Sequence, residues 1–224
     1  MGRVGERDVI HAERPMPPVN LLFATQIYQA RPLGQTAKRL QLDLMRACHA
    51  IARSDRAGQA WCKAHSYKGY TSYASLNDLP WRDPVIAELV AVLDAHVARF
   101  ARSLDFDLGH RKLALDSLWI NILEPGGMHA GHIHPGSVIS GTYYVALPAG
   151  AAGLKFEDPR LQQMMAAPPR KSGAGRRNKN FVEIAPKAGT ILLWESWLRH
   201  EVPVSKAKSA RISISFNYSW PAAV

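Results

Sequence analysis

Apolar residues change their period midway along the chain. Up to about residue 112 they recur every three or four positions. Leu40, Leu44, Cys48 and Ile51 form one such series, for which Thr36 is a candidate cap. Ile86, Leu89, Val90, Leu93, Val97, Phe100 and Leu104 form a second and clearer one, opened by Asp83-Pro84 with proline suited to a first turn. These predict two amphipathic helices, with His96 packed on or beside the second stripe. The apolar segment 20–30 (Leu21, Leu22, Phe23, Ile27, Tyr28) is a candidate strand, and 68–73 is rich in turn residues and ambiguous.

From about residue 113 the pattern becomes short β-rich runs between Gly and Pro breaks: 118–123, 138–147, 154–156, 181–184, 190–194, 201–204 and 211–220. Their number and length predict a mainly β fold with helices, a double-stranded β-helix (jelly roll) backed by N-terminal helices. The division that follows is an extended arm at 1–20, a helical support region at 21–112 and a β core at 113–224, all in one integrated domain. In the last strand Arg211, Ser213, Ser215 and Asn217 fall on one face, and Ile212, Ile214, Phe216 and Tyr218 on the other. With helices outside the sheet, the polar face is expected to line the interior. Trp194 and Trp197 are expected to pack the sheet, Tyr143 to pack outward, and Phe216 and Trp220 to meet the helices.

Composition adds little that is specific. No apolar run would span a bilayer, and the first twenty residues lack a signal-type core, so a cytoplasmic protein is expected. Two cysteines, Cys48 and Cys62, make no disulfide framework and read as reduced thiols. The net charge, 28 − 18 = +10, is concentrated in part in residues 160–179. That stretch carries Arg160, Arg170, Lys171, Arg176, Arg177 and Lys179 and no acid. It reads as a solvated loop and a candidate lid. Because it has no interleaved aromatics, a nucleic-acid or acidic-partner binding module ranks below an enzyme.

The chemistry lies in the histidines. Gly126-Gly127-Met128-His129-Ala130-Gly131-His132-Ile133-His134 carries three, of which His132 and His134 share one face of a strand. His200 is a third imidazole from a distant segment. Imidazole nitrogen binds Fe(II), Zn(II), Cu(II) and Ni(II) well. Arg211, eleven residues beyond His200, offers a forked cation to an anionic ligand. His129 is placed near but outside the ligand set, and His11, His49, His65 and His110 on the surface. A cupin-like metal protein is the nearest alternative. However, Val138 and Ile139 stand where that pattern wants a Glu, and His200 falls too far from the Pro186-Lys187-Ala188-Gly189 turn.

Residues 117–220 resemble the 2-oxoglutarate/Fe(II)-dependent dioxygenases. The segments Gly69-Tyr70-Thr71-Ser72-Tyr73, His132-Ile133-His134-Pro135-Gly136-Ser137, Ser140-Gly141-Thr142-Tyr143-Tyr144, Asp158-Pro159-Arg160 and Ser196-Trp197-Leu198-Arg199-His200 resemble more closely a bacterial branch of that superfamily whose substrate is unassigned. The resemblance implies Fe(II) held by His132, His134 and His200. It also implies 2-oxoglutarate held by Arg211 and Ser213 at its far carboxylate, with Asn121 at the near carboxylate and Tyr144 a weaker candidate for the far one. O₂ is then the other co-substrate, and hydroxylation of an unknown primary substrate releases succinate and CO₂. A homodimer is expected by analogy. His134 stands where the superfamily pattern has an acid, and Glu195 and Asp158 are the candidate substitutes.

Overall fold

The helix expected at Asp83-Pro84 is the longest-range organiser of the N-terminal half, and the computed structural model shows why. The described residues are 18–160 and 163–220, so the arm at 1–17, His11 included, lies outside them. In chain order the elements are β1 (Tyr28–Ala30), α1 (Gln35–Ser54), α2 (Arg56–Ala64), β2 (Gly69–Thr71), α3 (Leu79–Arg82), α4 (Pro84–Ser103), β3 (Ala114–Leu123), β4 (His129–His132), β5 (Ile139–Ala146), β6 (Leu154–Glu157), α5 (Gln163–Ala166), β7 (Phe181–Ile184), β8 (Ile191–Glu195), β9 (His200–Val202) and β10 (Arg211–Ser219). Asp83 caps α4, its side chain accepting from Val85 N, with Pro84 in the first turn. Ile86, Leu89, Leu93, Val97 and Phe100 are all buried, each worth roughly 1.5–3 kcal/mol relative to exposure. His96 is buried beside them, its Nδ1 2.8 Å from the Tyr28 hydroxyl.

The strands form a six-stranded sheet, β1-β8-β5-β10-β3-β2, and a four-stranded sheet, β4-β9-β6-β7; every pairing is antiparallel. Two apolar clusters explain the layering. Leu40, Leu44, Ile86, Leu89 and Phe100 of the helices join Ile212, Ile214, Phe216 and Tyr218 of β10. Tyr144, Leu192 and Trp194 of the large sheet join Leu154, Phe156 and Val202 of the small one. The helices therefore cover the outer face of the large sheet, and the polar face of β10 turns inward, as its alternation predicts when helices back the sheet. Tyr143 packs outward into the helical cluster.

Several expectations need correcting. Segment 20–30 forms a strand only at Tyr28–Ala30. Leu21, Leu22 and Phe23 are exposed, since an apolar run without a pairing partner has no ladder to join. Thr36 lies inside α1; the cap position is Gly34, with no side-chain hydrogen bond. Trp197 is 47% exposed and does not pack the sheet, and Trp220 is 46% exposed beneath the Arg111 guanidinium rather than against the helices. His134 lies two residues beyond the end of β4, so strand alternation alone does not place it.

The junction of α1, α2 and β2 is pinned by one carboxylate. Asp55 caps α2 by accepting from Gly58 N at 2.9 Å, and also accepts the hydroxyls of Tyr70 (2.8 Å) and Ser75 (2.5 Å). Burial alone would raise its pKa, but these hydrogen bonds outweigh it and hold the group below the ordinary carboxylate value. Asp55→Ala removes the cap and takes the acceptor from the buried Tyr70 hydroxyl, while the half-buried Ser75 hydroxyl keeps Ser72 O at 3.3 Å. A loss of about 2–4 kcal/mol in urea unfolding is expected; a loss under about 0.5 kcal/mol would mean solvent replaces those bonds.

Cys48 and Cys62 are buried free thiols. No helix among the described residues is long and apolar enough to cross a membrane.

Candidate active site

The three predicted ligand histidines meet because the small sheet pairs two of them directly. His132, last residue of β4, is the cross-strand partner of His200, first residue of β9. The third arrives through the backbone: His134 N donates to Ser196 O at 3.0 Å, tying the segment after β4 to the loop before β9. Gly136 then turns with φ +86, a conformation costly for residues with a Cβ, and returns the chain to β5.

One ligand atom from each imidazole lies within 4.8 Å of the others. His132 Nδ1 lies 2.7 Å from Ala130 O, and His200 Nδ1 lies 2.9 Å from Leu198 O. A neutral imidazole has one N–H, so those carbonyls fix it on Nδ1 and leave Nε2 as a lone-pair donor. His134 Nε2 lies 3.3 Å from His200 Nε2, with the two rings stacked at 9°. Such a convergence of lone pairs suits a divalent cation. Glu195 and Asp158 do not join the group; Asp158 pairs with Arg160 at 2.8 Å.

Burial, the largest cause in each case, holds His134 at about 4 and His200 at about 3, keeping both neutral at physiological pH. His129 is held at about 4, again first by burial and then by the Arg211 charge. Their ordinary value is 6.5, so between pH 6.5 and the depressed values the unfolded chain binds more protons than the native one. Stability must therefore fall as pH drops through that window. The urea midpoint of metal-free protein is expected to decline steadily from pH 6.5 to about 5, before carboxylates contribute. A midpoint flat across that range would contradict the neutral buried imidazoles.

A cavity of about 60 Å³ runs between the sheets from the histidines to Arg211, with Asn121, Trp119 and Trp194 in its walls. The Trp194 ring stands edge-on to His200 at 4.7 Å, and Trp119 lies 5.8 Å from His134. At the far end Arg211 is 2% exposed. Its Nη1 donates to Ser213 Oγ at 3.0 Å and its Cζ lies 5.0 Å over the Tyr144 ring. No carboxylate among the described residues pairs with it. Arg211 Nε and the Tyr144 hydroxyl are both buried without a partner. A buried cation beside an orphan donor is costly, and fits an anionic ligand that would satisfy both. Asn121 is held by Thr71 Oγ1 (2.9 Å to its Oδ1) and donates to Ser215 Oγ at 3.2 Å.

Of the candidate residues read from the sequence, His132, His134, His200, Arg211 and Asn121 line this cavity; Ser213 and Tyr144 lie behind it, against Arg211. His129 lines the cavity outside the metal group, while His49, His65 and His110 are exposed. Sequence reasoning missed Trp119 and Tyr67. Trp119 was legible as the residue two before Asn121 on the same strand face. Tyr67 carried no signal, because it reaches His129 from 62 positions away, at 2.7 Å.

Residues 117–217 match the family described as "Putative 2OG-Fe(II) oxygenase". No curated protein matches the sequence at a significant level. Among solved structures, a Pseudomonas putida prolyl-4-hydroxylase aligns at TM-score 0.57 and 14% identity, covering 88% of this chain and 94% of that one. The non-heme alpha ketoglutarate dependent carbocyclase SnoK from nogalamycin biosynthesis aligns at TM-score 0.58 and 11% identity, covering 87% and 79%. HygX from Streptomyces hygroscopicus, solved with nickel and 2-oxoglutarate bound, aligns at TM-score 0.56 and 13% identity, covering 87% and 82%. At such identities these structures are alike in fold.

Proposed function

We propose, from the match of residues 117–217 to the 2OG-Fe(II) oxygenase family, that the protein is such an oxygenase, in which His132, His134 and His200 hold the iron while Arg211 and Ser213 seat 2-oxoglutarate. The observation that supports this most is the buried, acid-free Arg211 at one end of a cavity whose other end holds three converging imidazoles. When bound, iron and 2-oxoglutarate supply O₂ activation coupled to decarboxylation of the co-substrate, so that a substrate C–H bond becomes C–OH as succinate and CO₂ leave.

The chain's own residues do the rest. Three neutral imidazoles hold one side of the ion and leave the remainder for ligands. Without a carboxylate among them, they leave the ion's full charge to attract the co-substrate dianion. Arg211 forks onto the far carboxylate, with Ser213 steadying its Nη1 and Tyr144 adding a hydroxyl. Asn121 faces the near carboxylate. The side chains of Leu154, Trp194 and Val202 form the apolar part of the wall and limit the water that reaches the ion. Succinate formation from 2-oxoglutarate on addition of Fe(II), even uncoupled from substrate, tests the reading. No succinate and no co-substrate binding by calorimetry would reject it.

The remaining assignments are of the same kind. Residues 21–112 support and 113–224 carry the chemistry within one integrated unit, and the protein works in the cytoplasm as a homodimer. The basic loop at 160–179 acts as a lid rather than as a nucleic-acid groove. Its origin at the end of β6, the strand paired to His200 through Phe156, supports the lid role.

A further inference from the structure

We infer that His129, held in place by Tyr67, is a further co-substrate-binding residue, donating a hydrogen bond to the far carboxylate of 2-oxoglutarate beside Arg211. The inference rests on the oxygenase reading above.

His129 opens β4 and pairs with Val202, one step along the small sheet from the His132–His200 pair. It lines the same cavity as the three histidines and Arg211 but stands outside the metal group. Tyr67, bonded to His129, also lies 3.5 Å from Asn121 Oδ1, and Asn121 is the cross-strand partner of Ser213, which holds Arg211.

The hydrogen bonding assigns the proton. Tyr67 Oη lies 2.7 Å from His129 Nε2 but 3.5 Å from Asn121 Oδ1. That amide oxygen already takes the Thr71 hydroxyl at 2.9 Å. The phenol proton therefore goes to His129 Nε2. Burial pushes the phenol pKa up and the imidazole pKa down, so the phenol keeps its proton and the ring carries only one. That proton must then sit on Nδ1. Tyr67 thus acts as a positioning residue that sets the tautomer, and His129 offers an Nδ1–H donor to the cavity it lines. A neutral donor beside Arg211 adds direction to carboxylate binding without adding a like charge.

Calorimetry on the Ni(II)-loaded full chain separates the outcomes, with two probes that share the 2-oxo acid end. These are 2-oxoglutarate and 2-oxovalerate, which lacks the far carboxylate. His129→Phe is expected to weaken 2-oxoglutarate roughly tenfold or more while leaving 2-oxovalerate within about twofold and metal stoichiometry unchanged. His129→Asn, whose amide nitrogen can take the place of Nδ1, is expected to retain more affinity than His129→Phe. Tyr67→Phe, which removes one oxygen atom, is expected to give the same selective loss at smaller size, and decides the matter if His129→Phe does not fold. Equal losses for both ligands, or no loss, would overturn the assignment. Wild-type protein that binds neither ligand would instead overturn the oxygenase reading itself.

Discussion

Replacing Arg211 with Met is expected to abolish measurable 2-oxoglutarate binding while making the ligand-free protein more stable. Both effects have one cause. Arg211 is almost fully buried, no carboxylate among the described residues pairs with it, and its guanidinium donates to the neutral Ser213 hydroxyl. Removing a charge from water costs several kcal/mol when no partner offsets it. Met fills much of the same volume at no such cost, so ligand-free stability should rise by about 1–4 kcal/mol in urea unfolding. The ligand pays the opposite way: without a forked charge for its far carboxylate, affinity should drop by roughly 30-fold to 1,000-fold or more. The diagnostic result is the combination, a higher midpoint with no further shift on adding 2-oxoglutarate. A variant that is less stable, and still responds to 2-oxoglutarate, would show that Arg211 serves the fold.

Substitutions at His134 are expected to split by chemistry. His134→Ala removes one of three converging donors and should lower metal affinity by roughly 100-fold or more, with turnover lost alongside. His134→Asp supplies a carboxylate instead, and should retain metal and measurable succinate formation. Its Fe(II) should bind more tightly and its 2-oxoglutarate more weakly, because the added negative charge favours the cation and opposes the dianion. Metal content after dialysis and co-substrate calorimetry on the same preparations check both halves. If Ala behaves as wild type in metal content, His134 lies outside the ligand set and the imidazole trio is wrong.

Much of this architecture was legible in the sequence wherever one face of an element was buried and the other was not. The stripe on α4 and the alternation on β10 are such cases. The inward turn of Arg211, Ser213, Ser215 and Asn217 followed once helices were assigned to the outer face. The unread parts share a different physics. Helix α2 carries Gly58 near its start, which lowers its helical signal. A Cβ there would lie 2.2 Å from Asp55 Oδ2, so the glycine serves the capping carboxylate rather than the helix. Exposed Leu21, Leu22 and Phe23 gave a strand-like run with no pairing behind it. At the site, His132, His200 and Arg211 were found because spacing brings them onto strands. His134 was read as sharing a strand face with His132, but it lies past the end of β4 and reaches the group through a backbone bond to Ser196; Tyr67 reaches His129 from a loop and leaves no local trace.

The central claim is a single ion shared by three imidazoles, with a diacid stretched from that ion to Arg211. A crystal structure of the protein loaded with metal and a non-reactive 2-oxoglutarate analogue tests it directly. The account predicts Nε2 of His132, His134 and His200 at about 2.0–2.2 Å from one ion, and the analogue's far carboxylate forked by the Arg211 guanidinium. An ion held by other donors, or an analogue lying away from Arg211, would contradict it.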